Sequence, residues 1–293
     1  MKQGQRNFGG DWTTEKLERV RKYLAAYTTI MNKYPFHFAY IDAFAGTGYR
    51  KLKQDENPNE LMFPEIAEQE VQDFLEGSAS TALQVQPRFQ KYIFIEKDEN
   101  RSSELQNLKT EFPSLQNDIE LVQSDANAYL KDLCLNRNWK KHRAVLFLDP
   151  YGMEVEWNTI TAIAKTQAID LWLLFPLGVA VNRLLKRDGN IDTTVRHKLD
   201  RFFGTTDWYD AFYETIPTQT LFGKEMVTQK TGDFKSIEQY FVKRLQTVFT
   251  KVANNPLPLY NSRNNPLYLL CFAAGNPKGA STAVKIAQDI LRK

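Results

Sequence analysis

Cysteine and histidine are scarce in this sequence: two cysteines, Cys134 and Cys271, lie far apart, and there are three histidines. That is too little for a disulfide framework or for a zinc or iron site, so no metal is expected and a reducing cytoplasm is the expected setting. No apolar run reaches the ~18 residues needed to cross a bilayer. The stretch Met1 to Asp11 is polar and contains glycine, unlike a secretory signal, and no membrane association is expected. Charge of one sign is lacking too. Lys and Arg number 38 against 35 Asp and Glu, a formal net charge of +3, so an anionic partner would need a local patch. Internal repeats and low-complexity tracts are absent. What is present, 42% hydrophobic and 25% charged residues over 293 positions, suffices for a sizeable core and reads as one domain, 1–293.

The chain is organised around Phe38-Ala39-Tyr40-Ile41-Asp42-Ala43-Phe44-Ala45-Gly46-Thr47-Gly48. An apolar, aromatic and β-branched run predicts a buried parallel strand, and Gly46 and Gly48 stand where it must turn sharply. A Gly-x-Gly alone also fits a plain strand-ending turn. Three further strand-like runs each end in an acid: 91–97 at Glu96, 119–125 at Asp125 and 143–149 at Asp149. A fifth, Ile169 to Phe175, stops at Pro176. Helices are predicted between them, among them one amphipathic helix over Asn100 to Phe112 and one over Trp157 to Lys165, and one precedes them at Trp12 to Lys33, its apolar face made by Leu17, Val20, Leu24, Tyr27 and Met31. Such alternation predicts a parallel sheet with right-handed crossovers.

Three stretches break the rhythm. Residues 1–35 hold the N-terminal helix, 50–76 read as a lid-like insertion, and 177–235 read as a helical insertion over the mouth of the sheet. The last carries Arg183, Lys186, Arg187, Arg196, Lys198 and Arg201 among Phe202, Phe203, Trp208, Tyr209, Phe212 and Tyr213. The bases suit a nucleic-acid groove or a solvated face; the ring spacing favours core packing over base stacking. A helix over 236–253, an antiparallel hairpin over 257–274 and a helix over 278–291 close the chain.

Five parallel strands followed by an antiparallel hairpin resemble the Rossmann-like S-adenosylmethionine-dependent methyltransferases, over about residues 36–290. The fold class expected is therefore α/β, a class I methyltransferase sheet flanked by helices, with a helical insertion. The resemblance implies a cofactor, S-adenosylmethionine, held by Asp42, Phe44, Ala45, Gly46, Gly48, Glu96, Lys97, Asp125 and Ala126. In that scheme the glycine loop underlies the methionine and ribose portions, and Asp42 faces the ammonium directly or through water. Glu96 accepts both ribose hydroxyls, and Asp125 accepts from the adenine amine while the Ala126 backbone reads a ring nitrogen. Each acid taken alone also fits a helix cap or a solvated strand terminus. A nicotinamide site fits less well, because the third glycine of Gly-x-Gly-x-x-Gly is replaced by Lys51.

Asp149-Pro150-Tyr151-Gly152 is similar to the Asp/Asn/Ser-Pro-Pro-aromatic motif of amino-directed nucleic-acid methyltransferases. The resemblance makes Asp149, Pro150 and Tyr151 the catalytic candidates, Asp149 accepting from an exocyclic amine and Tyr151 stacking on the base. One proline is missing and the aromatic comes a residue early. More narrowly, Asp11-Trp12-Thr13, Tyr40 to Gly48, Phe147 to Gly152, Phe175-Pro176-Leu177-Gly178, Phe203-Gly204-Thr205 with Trp208, and Phe272-Ala273-Ala274 before Asn276-Pro277-Lys278 resemble the three-Cys-motif partner proteins. That implies a bacterial or phage-type protein working with a three-Cys-motif, radical-S-adenosylmethionine-like partner. Three readings stay open: a methyltransferase acting on a nucleic-acid base, a non-catalytic cofactor-binding adaptor for that partner, and a small-molecule methyltransferase.

Overall fold

A computed structural model describes residues 11–46, 77–150, 152–220 and 223–292. Gly48, Tyr151 and the lid-like insertion expected over 50–76 lie outside the described residues. The central sheet runs β3-β2-β1-β4-β5-β10-β8, with β9 also paired to β10. Its strands are β1 (His37–Asp42), β2 (Lys91–Glu96), β3 (Ile119–Gln123), β4 (His142–Leu148), β5 (Ile169–Phe175), β8 (Lys251–Val252), β9 (Leu257–Tyr260) and β10 (Pro266–Ala274). β1 to β5 are parallel, and β10 pairs antiparallel with β5, β8 and β9. This is the α/β sheet with a closing antiparallel hairpin expected from the sequence, its edge strand divided into β8 and β9.

Strand periodicity divides the core into two faces. Tyr40, Phe94, Phe147, Trp172 and Phe272 point to one, and Ile41, Ile95, Leu146, Leu173 and Cys271 to the other. Both faces are covered, which is why the strands read as nearly unbroken apolar runs. On the first face lie α1 (Asp11–Met31), α2 (Gly77–Leu83) and α10 (Ala280–Leu291). On the second lie α5 (Ala126–Asn136), α6 (Trp157–Lys165), α7 (Thr193–Phe203), α8 (Trp208–Phe212) and α9 (Phe234–Gln246). Two short helices, α3 (Glu99–Glu104) and α4 (Asn107–Glu111), stand where one amphipathic helix was expected.

The insertion corrects a second expectation. It is not wholly helical: β6 (Tyr213–Thr220) and β7 (Gly223–Lys230) form an antiparallel hairpin of their own. Its side chains are largely exposed, Met226 and Val227 included, so the apolar alternation that marks a half-buried strand is missing. Pro217 weighs against a strand as well, tolerated because each strand has an open edge. The aromatics favoured as core are core: Phe202, Phe203, Trp208, Phe212 and Tyr213 are buried. After β5 the chain makes a single π-helical stretch, Leu177–Val181. Gly178 is required there, because a Cβ would fall 2.0 Å from the Pro266 carbonyl oxygen.

Candidate active site at the strand ends

The strand order reverses between β1 and β4, since β1 leads outward to β2 and β3 while β4 leads to β5 on the opposite side. The crevice beyond the carboxyl ends of such strands is where ligands bind in doubly wound sheets. Asp42 closes β1 and Asp149 follows β4 directly, so the sequence-predicted acids meet at this switch point. Period-two alternation sets both on the face under α1, in line with Tyr40 and Phe147.

Asp149 is buried, and its Oδ2 accepts a hydrogen bond from Lys16 Nζ at 2.6 Å. Lys16 is itself fully buried. Its ammonium lies 5.4 Å from the Trp12 ring centroid and 5.7 Å from that of Phe147. Burial pushes the Asp149 carboxyl up from its ordinary range and the Lys16 ammonium down, each opposed by the partner's charge. Pro150 is buried behind Asp149. The expected amine acceptor therefore has one oxygen bound to a cation from the N-terminal helix.

Asp42 has no solvent exposure. Its carboxylate accepts from the Ser78 hydroxyl of α2, and at longer range from the Phe44 N–H and the Tyr40 hydroxyl, each at 3.4 Å. Burial, reinforced by the nearby Asp149, raises its pKa to about 7 against those donors and Lys16. Enclosed in this way, Asp42 holds the turn that follows β1. Ala45 N–H bonds to the Ile95 carbonyl and ties that turn to β2, while Phe44 packs half-buried on the second face.

Glu96, at the tip of β2, accepts from the Asp98 N–H at 2.7 Å through Oε1. Its buried Oε2 has no hydrogen-bond partner among the described residues. Gly46 passes directly over it: a Cβ at that position would stand 2.6 Å from Glu96 Oε2. A carboxylate oxygen with unused acceptor capacity beneath a turn where a larger side chain would meet it is what a diol-bearing ligand such as a ribose needs. Residues 42–46 and Glu96 thus fit the nucleoside cofactor that the resemblance implies.

Asp125 is placed differently. Its Oδ1 caps α5 by accepting from the Ala128 N–H, and its Oδ2 lies 3.6 Å from Lys97 Nζ. Lys97 is well exposed, and Ala126 is the buried first residue of α5. The helix-cap reading of this acid is therefore occupied, at the rim of the same crevice.

Sequence reasoning missed Lys16 and Ser78. Lys16 stands in the buried stripe Trp12, Lys16, Val20, Tyr23, Leu24, Tyr27. Leu17, expected on that face, is half-buried instead and points at Gly77. The available signal was a lysine in phase with apolar residues at i, i+4 and i+8. Of the basic cluster, Arg196 lies over the Trp208 and Tyr209 rings and Arg201 pairs with Glu156, so these two are engaged within the fold. Among the described residues, no group of three or more His, Cys, Asp or Glu could hold a metal, and no helix is long and apolar enough to cross a membrane.

No protein-family model matches the chain, and no curated protein does. Solved structures similar to it include protein LPL1258 from Legionella pneumophila, with 13% identity, 97% of this chain and 92% of that one covered, and a TM-score of 0.47. Spermidine synthase from Thermotoga maritima shows 9% identity, coverage of 97% and 72%, and a TM-score of 0.38. The plantazolicin methyltransferase BpumL, solved in complex with SAH, shows 8% identity, coverage of 90% and 85%, and a TM-score of 0.30. The α/β sheet itself is defined by its strand order and strand directions.

Proposed function

We propose that the chain is an S-adenosylmethionine-dependent methyltransferase acting on a nucleic-acid base, an exocyclic amine being the target group, and that it works with a three-Cys-motif partner. The observation that carries the cofactor reading is Glu96 Oε2, a buried acceptor without a partner among the described residues, set under Gly46 at the topological switch point. Glu96 would accept the ribose hydroxyls. The turn 43–46, fixed by Asp42 and by the Ala45 bond to Ile95, would lie along the sugar and amino-acid portions. Asp42, being enclosed, would serve the cofactor's amino-acid end by fixing the turn beneath it and not by direct contact. Asp125 and Ala126 would border the adenine. Bound there, the cofactor supplies a methyl group whose transfer turns its sulfonium into a neutral thioether.

Asp149 would orient the amine by accepting from it, which is catalysis by positioning and by stabilising positive charge developing on nitrogen. Pro150 fixes the backbone at that point, and Tyr151 is the proposed stacking ring. The bases of the insertion supply phosphate contacts in this reading.

Calorimetry with S-adenosylmethionine and its demethylated product, followed by tritium transfer to a panel of DNA and RNA substrates, tests the proposal. Binding should be saturable in the wild type. Gly46→Ala should weaken it about tenfold or more, as its methyl meets Glu96. Absence of binding would overturn the cofactor reading. Binding without transfer to any nucleic acid, with the three-Cys-motif protein co-purifying, would replace the enzyme by an adaptor.

A further inference from the structure

Lys16 is the one lysine among the described residues that is fully buried, and it lies on α1, far from the strand ends in sequence. A lysine in the apolar stripe of a core helix loses most of its hydration, which costs several kcal/mol unless the charge is matched. Asp149 Oδ2 meets the charge at 2.6 Å, supplemented by the faces of Trp12 and Phe147. A contact of that kind is weak evidence for stability, since apolar residues of similar volume would serve the fold as well or better. Lys16 does bind one Asp149 oxygen and oppose the rise that burial imposes on that carboxyl. The neighbouring Asp42, an acid at the same depth, is met instead by the Ser78 and Tyr40 hydroxyls and the Phe44 N–H; burial raises both carboxyls, and Lys16 opposes the rise by charge and hydrogen bond at Asp149 but by charge alone at Asp42.

We propose that Lys16 is a positioning residue of the candidate site, holding Asp149 as an oriented anion at the mouth of β4 and so making α1 part of the reaction centre. The proposal rests on the methyl-transfer reading given above. Lys16 itself neither receives the methyl group nor removes the amine proton. It fixes one carboxylate oxygen by a charge-assisted bond and keeps the group ionised, so that it accepts hydrogen bonds from substrate and does not donate one. The titratable groups facing Asp149 among the described residues are Lys16 from α1 and Asp42 and Tyr40 from β1. With Lys16 removed, Asp149 would lose the one cation among these groups, and with it the charge and hydrogen bond that oppose the effect of burial.

The test uses the full chain as wild type, Lys16→Met, Lys16→Arg and Asp149→Asn. Aspartate labelled with 13C at the carboxyl is followed by NMR across pH, and Asp149→Asn identifies the signal. Tritium transfer is followed over the same pH range. Lys16→Met should raise the titration of Asp149 by about 2 pH units. It should lower kcat at pH 7 about 100-fold with little change in KM, and activity should return as pH rises. Lys16→Arg should restore much of the rate. Where Lys16→Met does not fold, the Lys16→Arg signal and pH profile carry the test: they should follow the wild type, and an Asp149 that titrates like an unpaired acid in Lys16→Arg or in the wild type overturns the proposal. An Asp149 titration that is the same with and without the lysine overturns it, and so does a Lys16→Met rate equal to that of the wild type. A wild type that binds no cofactor and transfers no methyl group overturns the enzyme reading instead, while the NMR arm still reports whether Lys16 sets the charge of Asp149.

Discussion

Helix α1 meets the sheet through polar groups at both ends of the strands, and the two contacts differ in kind. At the mouth, Lys16 Nζ donates to Asp149 Oδ2 at 2.6 Å. At the floor, Tyr23 gives a neutral hydroxyl to Asp170 at 2.8 Å, helped by the Gly275 backbone. Both acids are buried on the same face, and Trp172 and Phe272 pack around Tyr23. With neutral donors, burial raises Asp170 to about 6, a value suited to an acid that only ties helix to strand. A cation is placed where the strands open toward the crevice, and a phenol where they do not. The same helix therefore reaches one buried acid through an amine and the other through a phenol.

The comparison is broken most severely at the mouth. Lys16→Met strands a carboxylate in the core and should cost about 3–5 kcal/mol in urea unfolding, whereas Lys16→Met/Asp149→Leu should recover most of that loss. At the floor, Tyr23→Phe removes one hydrogen bond to a carboxyl group and should cost about 1–3 kcal/mol. Because Asp42 and Asp170 titrate above the ordinary 3.8, the folded chain holds more protons than the unfolded one from there to about 7. Their contribution to stability should therefore fall as pH rises through that window. Unfolding followed from pH 4 to 8 should show a shallower fall in Asp170→Asn than in the wild type. The smallest effect belongs to the surface: Arg201→Ala, which frees an exposed partner of Glu156, should change stability by less than about 1 kcal/mol.

The parallel strands β1 to β5 were legible in the sequence because each is a largely apolar run that an acid or a proline closes or follows. Trp157 to Lys165 matched its helix to the residue, as apolar side chains recur there at helical spacing. The hairpin 213–230 was illegible because neither strand has a buried face to write an alternating pattern. Lys16 was illegible for another reason. Its partner lies 133 residues away, and a lysine on an amphipathic helix ordinarily faces solvent. Asp42, Glu96 and Asp149 could be named as strand-end acids, but which of them meets a cation, which a hydroxyl and which neither depends on packing that local pattern does not encode.

The divided border of the main sheet, β8 with two residues and β9 with four, has a bearing on how the chain behaves in a crowd of its own kind. An uninterrupted outer ribbon offers a template on which another polypeptide can zip. Here that ribbon is cut in two, and Pro258 within β9 has no amide hydrogen to present. Aggregation nucleated at this border is thereby disfavoured.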